Sequence, residues 1–223
     1  LRRSSAASDV YKRQRYSWQE KWLVATLSAQ IQALTGTNVD ETQLNQFCED
    51  GVRELINMFP QELKNMCYTK NTYSSSVAAG SETETIASKH IGSVYAGNVQ
   101  CREIDPKDKF KASDTNSIHA ASATDPVYYV EGSKLNVLPV SSSVVYYLIP
   151  DPSITANSGD GHIANFPNEA EYLVVLYAAI KNLEHLSVEE EDPELYLPLI
   201  QNLKQDYNQG LQMLGIVKQQ GAK

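Results

Sequence analysis

The feature that most constrains the fold is an unbroken apolar run of nine residues, 172–180 (YLVVLYAAI). Pro167 suits a first helical turn, and Glu169 and Glu171 would lie at the positive end of the helix dipole. The sequence therefore predicts a helix from about residue 167 to 186. A helix that is apolar all round is buried on most sides. The run is far shorter than the roughly 20 residues that a membrane span needs, so we do not expect a transmembrane protein.

The best-marked helix follows Asp40, a good N-cap residue, and Gln43 stands at the capping-box spacing three residues later. Apolar residues then keep a helical period from Leu44 to Phe59. Pro60 ends this helix or opens a short third one over Gln61–Cys67.

Two further helices are predicted near the ends of the chain. Residues 17–34 form a broad apolar face that includes Trp18 and Trp22. Asp192 and Pro193 read as the N-cap and first residue of a last helix, with an apolar stripe between 199 and 214.

The pattern changes between residues 68 and 125, where apolar residues are sparse. We expect short strands near 86–94 and 97–104 and a polar loop over 107–122. A hairpin follows over 127–139, and Gly132 first in a two-residue loop suits a type II′ turn. A third strand is predicted over Val144–Ile149, stopped by Pro150.

These patterns predict an α+β fold, a helical bundle of about four main helices with an inserted small antiparallel β region. The N-terminal helices would occupy residues 15–67, the β-rich insertion 68–152, and C-terminal helices that complete the bundle 153–223.

The first fourteen residues, LRRSSAASDVYKRQ, have a separate explanation. DVYKRQ is the translation of a transposon end used to build sequencing libraries, so we expect residues 1–14 to be a disordered, translated adapter on a metagenomic fragment. The alternative is a basic N-terminal arm. The full chain carries a formal charge of −8. Without the adapter, fifteen basic and twenty-six acidic residues give −11. This balance argues against sequence-specific nucleic-acid binding, which needs a basic face.

A search for catalytic motifs predicts no enzyme, no cofactor and no metal site. Cys48, Cys67 and Cys101 lack C-x-x-C spacing, and Cys48 lies on an apolar helix face as a core thiol. No two histidines have H-x-x-x-H spacing, and no nucleophile elbow or phosphate loop is present. Residues 158–162 (SGDGH) are expected to be a flexible turn. Residues 157–160, which start like an EF-hand loop, and the acidic run 189–192 are expected to be solvated loops; a cation at either is the alternative.

Tyrosine is unusually frequent, thirteen residues against four phenylalanines. Tyrosine suits interfaces because its ring can be buried while its hydroxyl stays hydrated. Adjacent strand residues face opposite sides of a sheet, so the pairs at 128–129 and 146–147 would make a sheet aromatic on both faces. Ordinary half-buried strand tyrosines, or rings that stack on sugars, are the alternatives. The predicted subunit interface comprises Tyr128, Tyr129, Tyr146, Tyr147, Tyr172 and Tyr177.

Four segments together resemble virion structural proteins of tailed phages that are common in marine samples. They are TNVDETQLNQFCEDGVRELINMFPQEL (37–63), CREIDPKDKFKASD (101–114), ATDPVYYVEGSKLNVLP (123–139) and NFPNEAEYLVVLYAAIKNLEHL (165–186). The plan of helix, β insertion and closing helices is similar to head-to-tail adaptor (neck or connector) proteins. The resemblance implies a non-enzymatic ring subunit between portal and tail, bound to portal and tail or neck proteins. Its implied location is the neck or tail region of the virion, assembled in the bacterial cytoplasm.

A heterologous contact would close such a ring, and an acidic lumen would let DNA pass without sticking. The resemblance implies no membrane partner. Two other functions remain open at this point. One is a tail- or fibre-associated host-binding module, which an exposed aromatic β surface would favour. The other is a virion-associated hydrolase, which a buried carboxylate or histidine with a perturbed pKa would favour.

Overall fold

A computed structural model describes residues 25–73, 84–86, 90–141, 143–159, 161–189, 194 and 196–216. The predicted adapter at 1–14 lies outside the described residues, as do Trp18, Trp22 and the predicted cap at Asp192 and Pro193. Contacts divide the chain into two compact units. We call them the helical unit, the described residues of Leu1–Leu63 and Pro152–Lys223, and the β unit, those of Lys64–Asp151.

The described residues form six α-helices, eight strands and one short 3-10 turn. The helices are α1 (Leu27–Thr35), α2 (Glu41–Met58), α3 (Gln61–Cys67), α4 (Lys109–Ser113), α5 (Asn168–Glu189) and α6 (Leu197–Met213), and the 3-10 turn is Pro106–Asp108. The strands are β1 (Thr69–Tyr73), β2 (Glu84–Thr85), β3 (His90–Ala96), β4 (Val99–Gln100), β5 (Arg102–Glu103), β6 (Val127–Glu131), β7 (Lys134–Leu138) and β8 (Val144–Ile149). The predicted mixture of helices and sheets is confirmed; the described part holds six helices rather than four.

Helix α2 begins where its sequence predicts. The carboxylate of Asp40 accepts hydrogen bonds from the backbone N–H groups of Thr42 (2.9 Å) and Gln43 (3.2 Å), which confirms the predicted N-cap. The apolar face of α2 is buried, and Cys48 is fully enclosed within it. The helix ends before Phe59 and Pro60.

Helix α5 is the centre of the helical unit and packs against α1, α2 and α6. Seven of the nine residues in the apolar run 172–180 are buried, which confirms a helix enclosed on most sides. Two glycines allow the neighbouring helices to approach. A Cβ on Gly51 of α2 would lie 2.9 Å from the Tyr177 ring, and one on Gly210 of α6 would lie 2.5 Å from Leu173.

A buried amide ties the α1–α2 connection to α5. Asn182 is 0% exposed, and its Oδ1 accepts from the backbone N–H of Val39 at 2.9 Å. Its Nδ2 donates to the Thr35 hydroxyl at 3.0 Å and to the Thr37 carbonyl at 2.7 Å. Both polar atoms of the amide are therefore satisfied, as a buried amide requires.

Side chains of the helices also fix the loop that precedes α5. The Asn45 amide oxygen accepts from the backbone N–H of Ala156 at 2.7 Å, and Glu49 accepts from that of Ile154 at 3.2 Å. Glu171 accepts from the backbone N–H of Ile163 at 2.8 Å. This loop is thus fastened to both α2 and α5.

The β unit contains two four-stranded sheets, in the order β1-β8-β3-β4 (the first sheet) and β2-β7-β6-β5 (the second sheet). One apolar cluster joins them, with Val94, Val144 and Tyr146 from the first sheet and Tyr128 and Leu135 from the second. A second cluster covers the opposite face of the second sheet. It contains Ala112 of α4 together with the strand residues Val127, Tyr129 and Leu138.

Several β predictions need correction. Strand β5 pairs with β6 in parallel, Arg102 opposite Val127, so the β region is not wholly antiparallel. The predicted strand near 97–104 is divided into β4 and β5 at Cys101, and the predicted polar loop over 107–122 contains α4. Gly132 and Ser133 have φ values of 60° and 64°. Positive φ at both positions is the pattern of a type I′ turn, which matches the strand twist, and not of type II′. The predicted strand Val144–Ile149 is confirmed.

Candidate functional site

Three of the six predicted interface tyrosines belong to the core of the β unit. Tyr128 and Tyr146 lie in the cluster between the sheets, and Tyr129, fully enclosed, lies in the cluster on the other side of the second sheet. The Tyr128 hydroxyl donates to Glu103 at 3.2 Å. Burial, followed by the charge of Glu103, raises the pKa of Tyr128 to about 12. These rings present little surface, and their role in a subunit contact stays a prediction.

Tyr147 lies on the opposite face of the first sheet from Tyr146, as the two-residue strand period requires. It is half-buried and makes an edge-to-face contact with Tyr95, with ring centroids 6.3 Å apart. Lys70 and Ser93 pair with Tyr147 in register; Lys70 is exposed and Ser93 is partly buried. This face of the first sheet is therefore aromatic at its centre and polar at its rim.

Tyr177 lies where α2, α5 and α6 meet. Its ring centroid is 6.2 Å from that of Tyr207, and the Tyr207 hydroxyl donates to Glu54 at 3.4 Å. Burial, then the charge of Glu54, raises the pKa of both phenols. Tyr177 thus packs within its own unit. Tyr172 is 47% exposed, and burial followed by the charge of Asp206 raises its pKa.

The most exposed apolar side chains are not among the predicted interface residues. In the β unit, Phe110 is 76% and Ile118 is 94% exposed. In the helical unit, Val188 is 85% and Met213 is 86% exposed. Periodicity did not single out Phe110 or Ile118 because both stand in polar sequence, DKFKAS and TNSIHA. An isolated large apolar residue in such a stretch is the signal that could have identified them.

The β unit contains a cavity of about 170 Å³. The cavity is lined by Arg102, Ile104, Asp108, Lys111, Ala112 and His119. Its cations are already in ion pairs, Lys111 with Asp108 at 2.8 Å and Arg102 with Asp125 at 3.0 Å. The lining therefore does not present the free cations that an anion site requires.

The three cysteines are buried, free thiols. Burial raises the pKa of Cys48 to about 12 and that of Cys67 and Cys101 to about 11. A thiol needs a lowered pKa to act as a nucleophile at neutral pH. Cys48 is confirmed as a core residue, and these thiols are not activated.

The histidines are dispersed. His162 Nδ1 lies 3.1 Å from Glu171, and His119 lines the cavity in the β unit. His90 is exposed, and His185 lies beside Phe47 with ring centroids 6.4 Å apart. Within the described ranges, no group of three His, Cys, Asp or Glu side chains could hold a metal ion. Asp160 and residues 190–192, on which the alternative cation sites depend, lie outside those ranges.

The two units differ sharply in charge. The described residues of the helical unit include twelve acidic and three basic residues, a net charge of −9. The described residues of the β unit include eight acidic and seven basic residues, a net charge of −1. The three cations of the helical unit are all in ion pairs, Arg53 with Glu49 and Asp50, and Lys181 and Lys204 with Glu184.

No protein-family model matches the chain, and no curated protein matches it. No helix among the described residues is long and apolar enough to cross a membrane.

Proposed function

We propose that this chain is a non-enzymatic structural subunit of a tailed-phage virion, a head-to-tail adaptor of the neck or connector type. It would assemble into a homo-oligomeric ring between portal and tail in the bacterial cytoplasm and remain in the neck or tail region of the virion. The four longer helices, α1, α2, α5 and α6, would serve as the bundle of each subunit.

The observation that carries the proposal is the segregation of charge. A helical unit whose described residues carry a net charge of −9 suits a surface past which DNA must slide, since it repels the phosphates. The near-neutral β unit suits protein contacts, since neighbouring subunits there would not repel each other.

Three of the four segments that carry the phage resemblance lie on helices and strands, whereas the fourth, 101–114, supplies five of the six residues that line the cavity of the β unit. Residues 37–63 include the capped helix α2, residues 123–139 include the β6–β7 hairpin, and residues 165–186 include most of α5. The three segments on helices and strands support a structural role, in which the resemblance reflects the residues that build the fold.

The test is assembly with the portal protein encoded by the same genome. Full-length chain, alone and mixed with portal, would be analysed by native mass spectrometry and negative-stain electron microscopy. We expect rings of several subunits that bind the portal. A chain that forms no ring-sized oligomer by mass or in images, and does not bind portal, would overturn the adaptor role.

A second measurement addresses passage of DNA. We expect no retention of duplex DNA in a gel-shift assay even at low ionic strength, where attraction between charges is strongest. Retention at low salt that is lost as salt rises would indicate a basic binding face and contradict the proposed lumen.

One observation favours a tail- or fibre-associated host-binding module as a second candidate. The half-buried Tyr95–Tyr147 pair gives the first sheet an aromatic face with a polar rim, which suits stacking against sugars. The paired substitution Tyr95→Ser and Tyr147→Ser would then abolish adsorption of the purified chain to host cells. In an adaptor, the same variant would not change cell binding because there is none to lose.

The third candidate, a virion-associated hydrolase, would use a buried general acid with a raised pKa. The carboxyl groups with a shifted pKa among the described residues are Asp105 and Glu184, and both are lowered. This direction does not favour a general acid.

A further inference from the structure

The face of the first sheet that points away from the second sheet, which we call the outer sheet face, is one continuous surface. Val144 and Tyr146 of β8 point into the apolar cluster between the sheets, so the alternate residues of these strands lie on the outer face. Residues directly opposite each other on neighbouring strands lie about 5 Å apart. The strand register sets the outer residues in two adjacent rows, Lys70–Tyr147–Ser93 and Thr72–Val145–Tyr95–Gln100.

The outer sheet face has no carboxylate, although the chain is strongly acidic. The full chain contains 27 acidic residues, but the four strands of the first sheet contain no aspartate or glutamate and one lysine, Lys70. Lys70 is exposed, and among the described residues no ion pair includes it. The three lysines between residues 105 and 121 are, by contrast, each paired within the chain. The face therefore offers a cation, with hydroxyl and amide groups around it, to an acidic partner.

The helical unit contains an acidic surface of the complementary kind. Its described residues carry a net charge of −9, and its three cations are already in ion pairs within the unit. Asp206 of α6 is exposed, and no ion pair of the described chain includes it. Burial, followed by the charge of Asp206, raises the pKa of Tyr172, so this carboxylate lies near a phenol ring that is 47% exposed. We call Tyr172 and Asp206 the helical patch.

We propose that the outer sheet face of one copy of this chain docks on the helical patch of the next copy, with Lys70 paired to Asp206. The Tyr95–Tyr147 pair would then lie against Tyr172. Two different patches meet, so the contact is heterologous and can close a ring. The inference rests on the proposed adaptor function, because it names the contact that would join the subunits of that ring.

The size of the outer sheet face indicates how strong one such contact can be. Four strands at the usual strand spacing and rise give an area of about 300 Å². Each partner in a standard stable interface buries roughly 800 Å². A single contact is therefore weak, and its detection needs concentrations up to the high micromolar range.

The first test is sedimentation velocity of the full chain from about 1 to about 200 µM, at low ionic strength. We expect association that rises with concentration. Lys70→Glu and Asp206→Lys should each weaken it at least about tenfold, because each places like charges opposite each other. Combining the two substitutions in one chain should restore it, because the pair is then reversed rather than broken.

The matched controls make the same changes of charge away from the two patches. Lys107→Glu reverses an exposed cation of the β unit, and Glu169→Lys reverses an exposed carboxylate of the helical unit. Both should associate like wild type. A wild type that stays monomeric, controls that weaken association equally, or a double variant no better than the single ones would each overturn the proposal. Adsorption to host cells without self-association would assign the outer sheet face to a host ligand instead.

The second test examines which surfaces meet. Thr72 is two residues from Lys70 on the same side of β1, and Gln209 is one turn from Asp206 on α6; both are exposed. A mixture of Thr72→Cys and Gln209→Cys chains should give a covalent dimer with a short bis-maleimide, whereas each variant alone should not. The native thiols are buried, so wild type is the blank. Cross-links between two copies of the same variant, without the mixed product, would contradict a heterologous contact.

These tests use the chain alone, so they separate this contact from the adaptor role. A chain that binds portal as a ring but fails them would keep the adaptor role and lose the contact. A chain that passes them without binding portal would keep the contact.

Discussion

The helical unit and the β unit achieve burial by different means. In the helical unit one apolar helix, α5, is enclosed by α1, α2 and α6, and the surface carries almost unopposed negative charge. In the β unit a sheet is covered on both faces, and acidic and basic residues are nearly equal in number. The difference indicates that the helical unit depends on its core against its own surface repulsion, whereas the β unit has little repulsion to overcome.

The largest effect should come from a cavity at the centre of each core. Leu176→Ala in α5 and Leu135→Ala in β7 both remove a fully enclosed side chain, and each should lower the free energy of unfolding by about 3–5 kcal/mol. Hydrogen exchange should localise the damage, to α2, α5 and α6 for the first variant and to β6 and β7 for the second. Val188→Ala, at an exposed site, is the control and should change stability by less than about 0.5 kcal/mol. Faster exchange across both units in either variant would contradict two separate cores.

A smaller loss is expected at Asn182. Asn182→Leu keeps the side-chain size but leaves the Val39 N–H, the Thr35 hydroxyl and the Thr37 carbonyl without the partners they have in α5. We expect a loss of about 2–3 kcal/mol, measured by urea unfolding, with the α1–α2 connection exchanging first. The matched control is Asn57→Leu, at an exposed position of α2. An Asn182→Leu variant as stable as wild type would show that this amide is not needed for packing.

The charge contrast itself predicts an effect of salt. Raising NaCl from about 20 mM to about 500 mM shortens the screening length from roughly 20 Å to roughly 4 Å, so it should stabilise the helical unit and leave the β unit nearly unchanged. Hydrogen exchange resolved by unit is the measurement, with an expected gain of about 1 kcal/mol in the helical unit, on the scale of surface charge interactions. Equal protection of both units by salt would contradict charge repulsion as the cause, since it would point to a general salt effect on burial.

The smallest effect concerns Glu184, which pairs with Lys181 at 3.0 Å and Lys204 at 2.8 Å. Burial raises its pKa, but hydrogen bonds from Lys204 and Lys181 outweigh this and hold the pKa below the ordinary 4.5. A lowered folded-state pKa stabilises the protein above the unfolded-state pKa, and this contribution is lost as the pH falls through the folded-state value. Glu184→Gln should therefore be less stable than wild type at pH 7, by less than about 1 kcal/mol.

The advantage of wild type over Glu184→Gln should disappear in urea unfolding once the pH is below the lowered pKa. Glu169→Gln, at an exposed site in the first turn of α5, is the control for removing a charge without these partners. A difference between wild type and Glu184→Gln that stays constant with pH would show that the two lysines do not act through the carboxylate charge.

The parts of the fold that could be predicted are those fixed by local chemistry. Asp40 caps α2 because its side chain reaches only its own helix end, and the apolar runs 127–130 and 144–149 mark two strands that bury most of their side chains. The parallel β5–β6 pair and strand β1 depend on partners far along the chain, so no local pattern indicates them. Asn182 is similar, since nothing in an apolar helix shows which backbone groups its amide will meet.

The candidate contact surfaces were harder to predict, for a related reason. An excess of tyrosine indicates half-buried rings but does not distinguish a core from an interface, and Tyr128, Tyr129 and Tyr146 proved to be core residues. Phe110 and Ile118 carry no periodicity, because α4 is a helix of only five residues and Ile118 lies in a turn that follows it. Their exposure is evident only from the folded backbone.

The discontinuity of the helical unit has a consequence for how the chain folds during synthesis. All the strands of the β unit have been made by residue 151, so that unit can close while α5 is still unmade. Helices α1 and α2 leave the ribosome much earlier but find the helix that covers them only when residues 168–189 emerge. The apolar face of α2 therefore stays exposed while the entire β unit is synthesised. Nascent chains that stop within this interval should bind chaperones and aggregate more than longer or shorter ones.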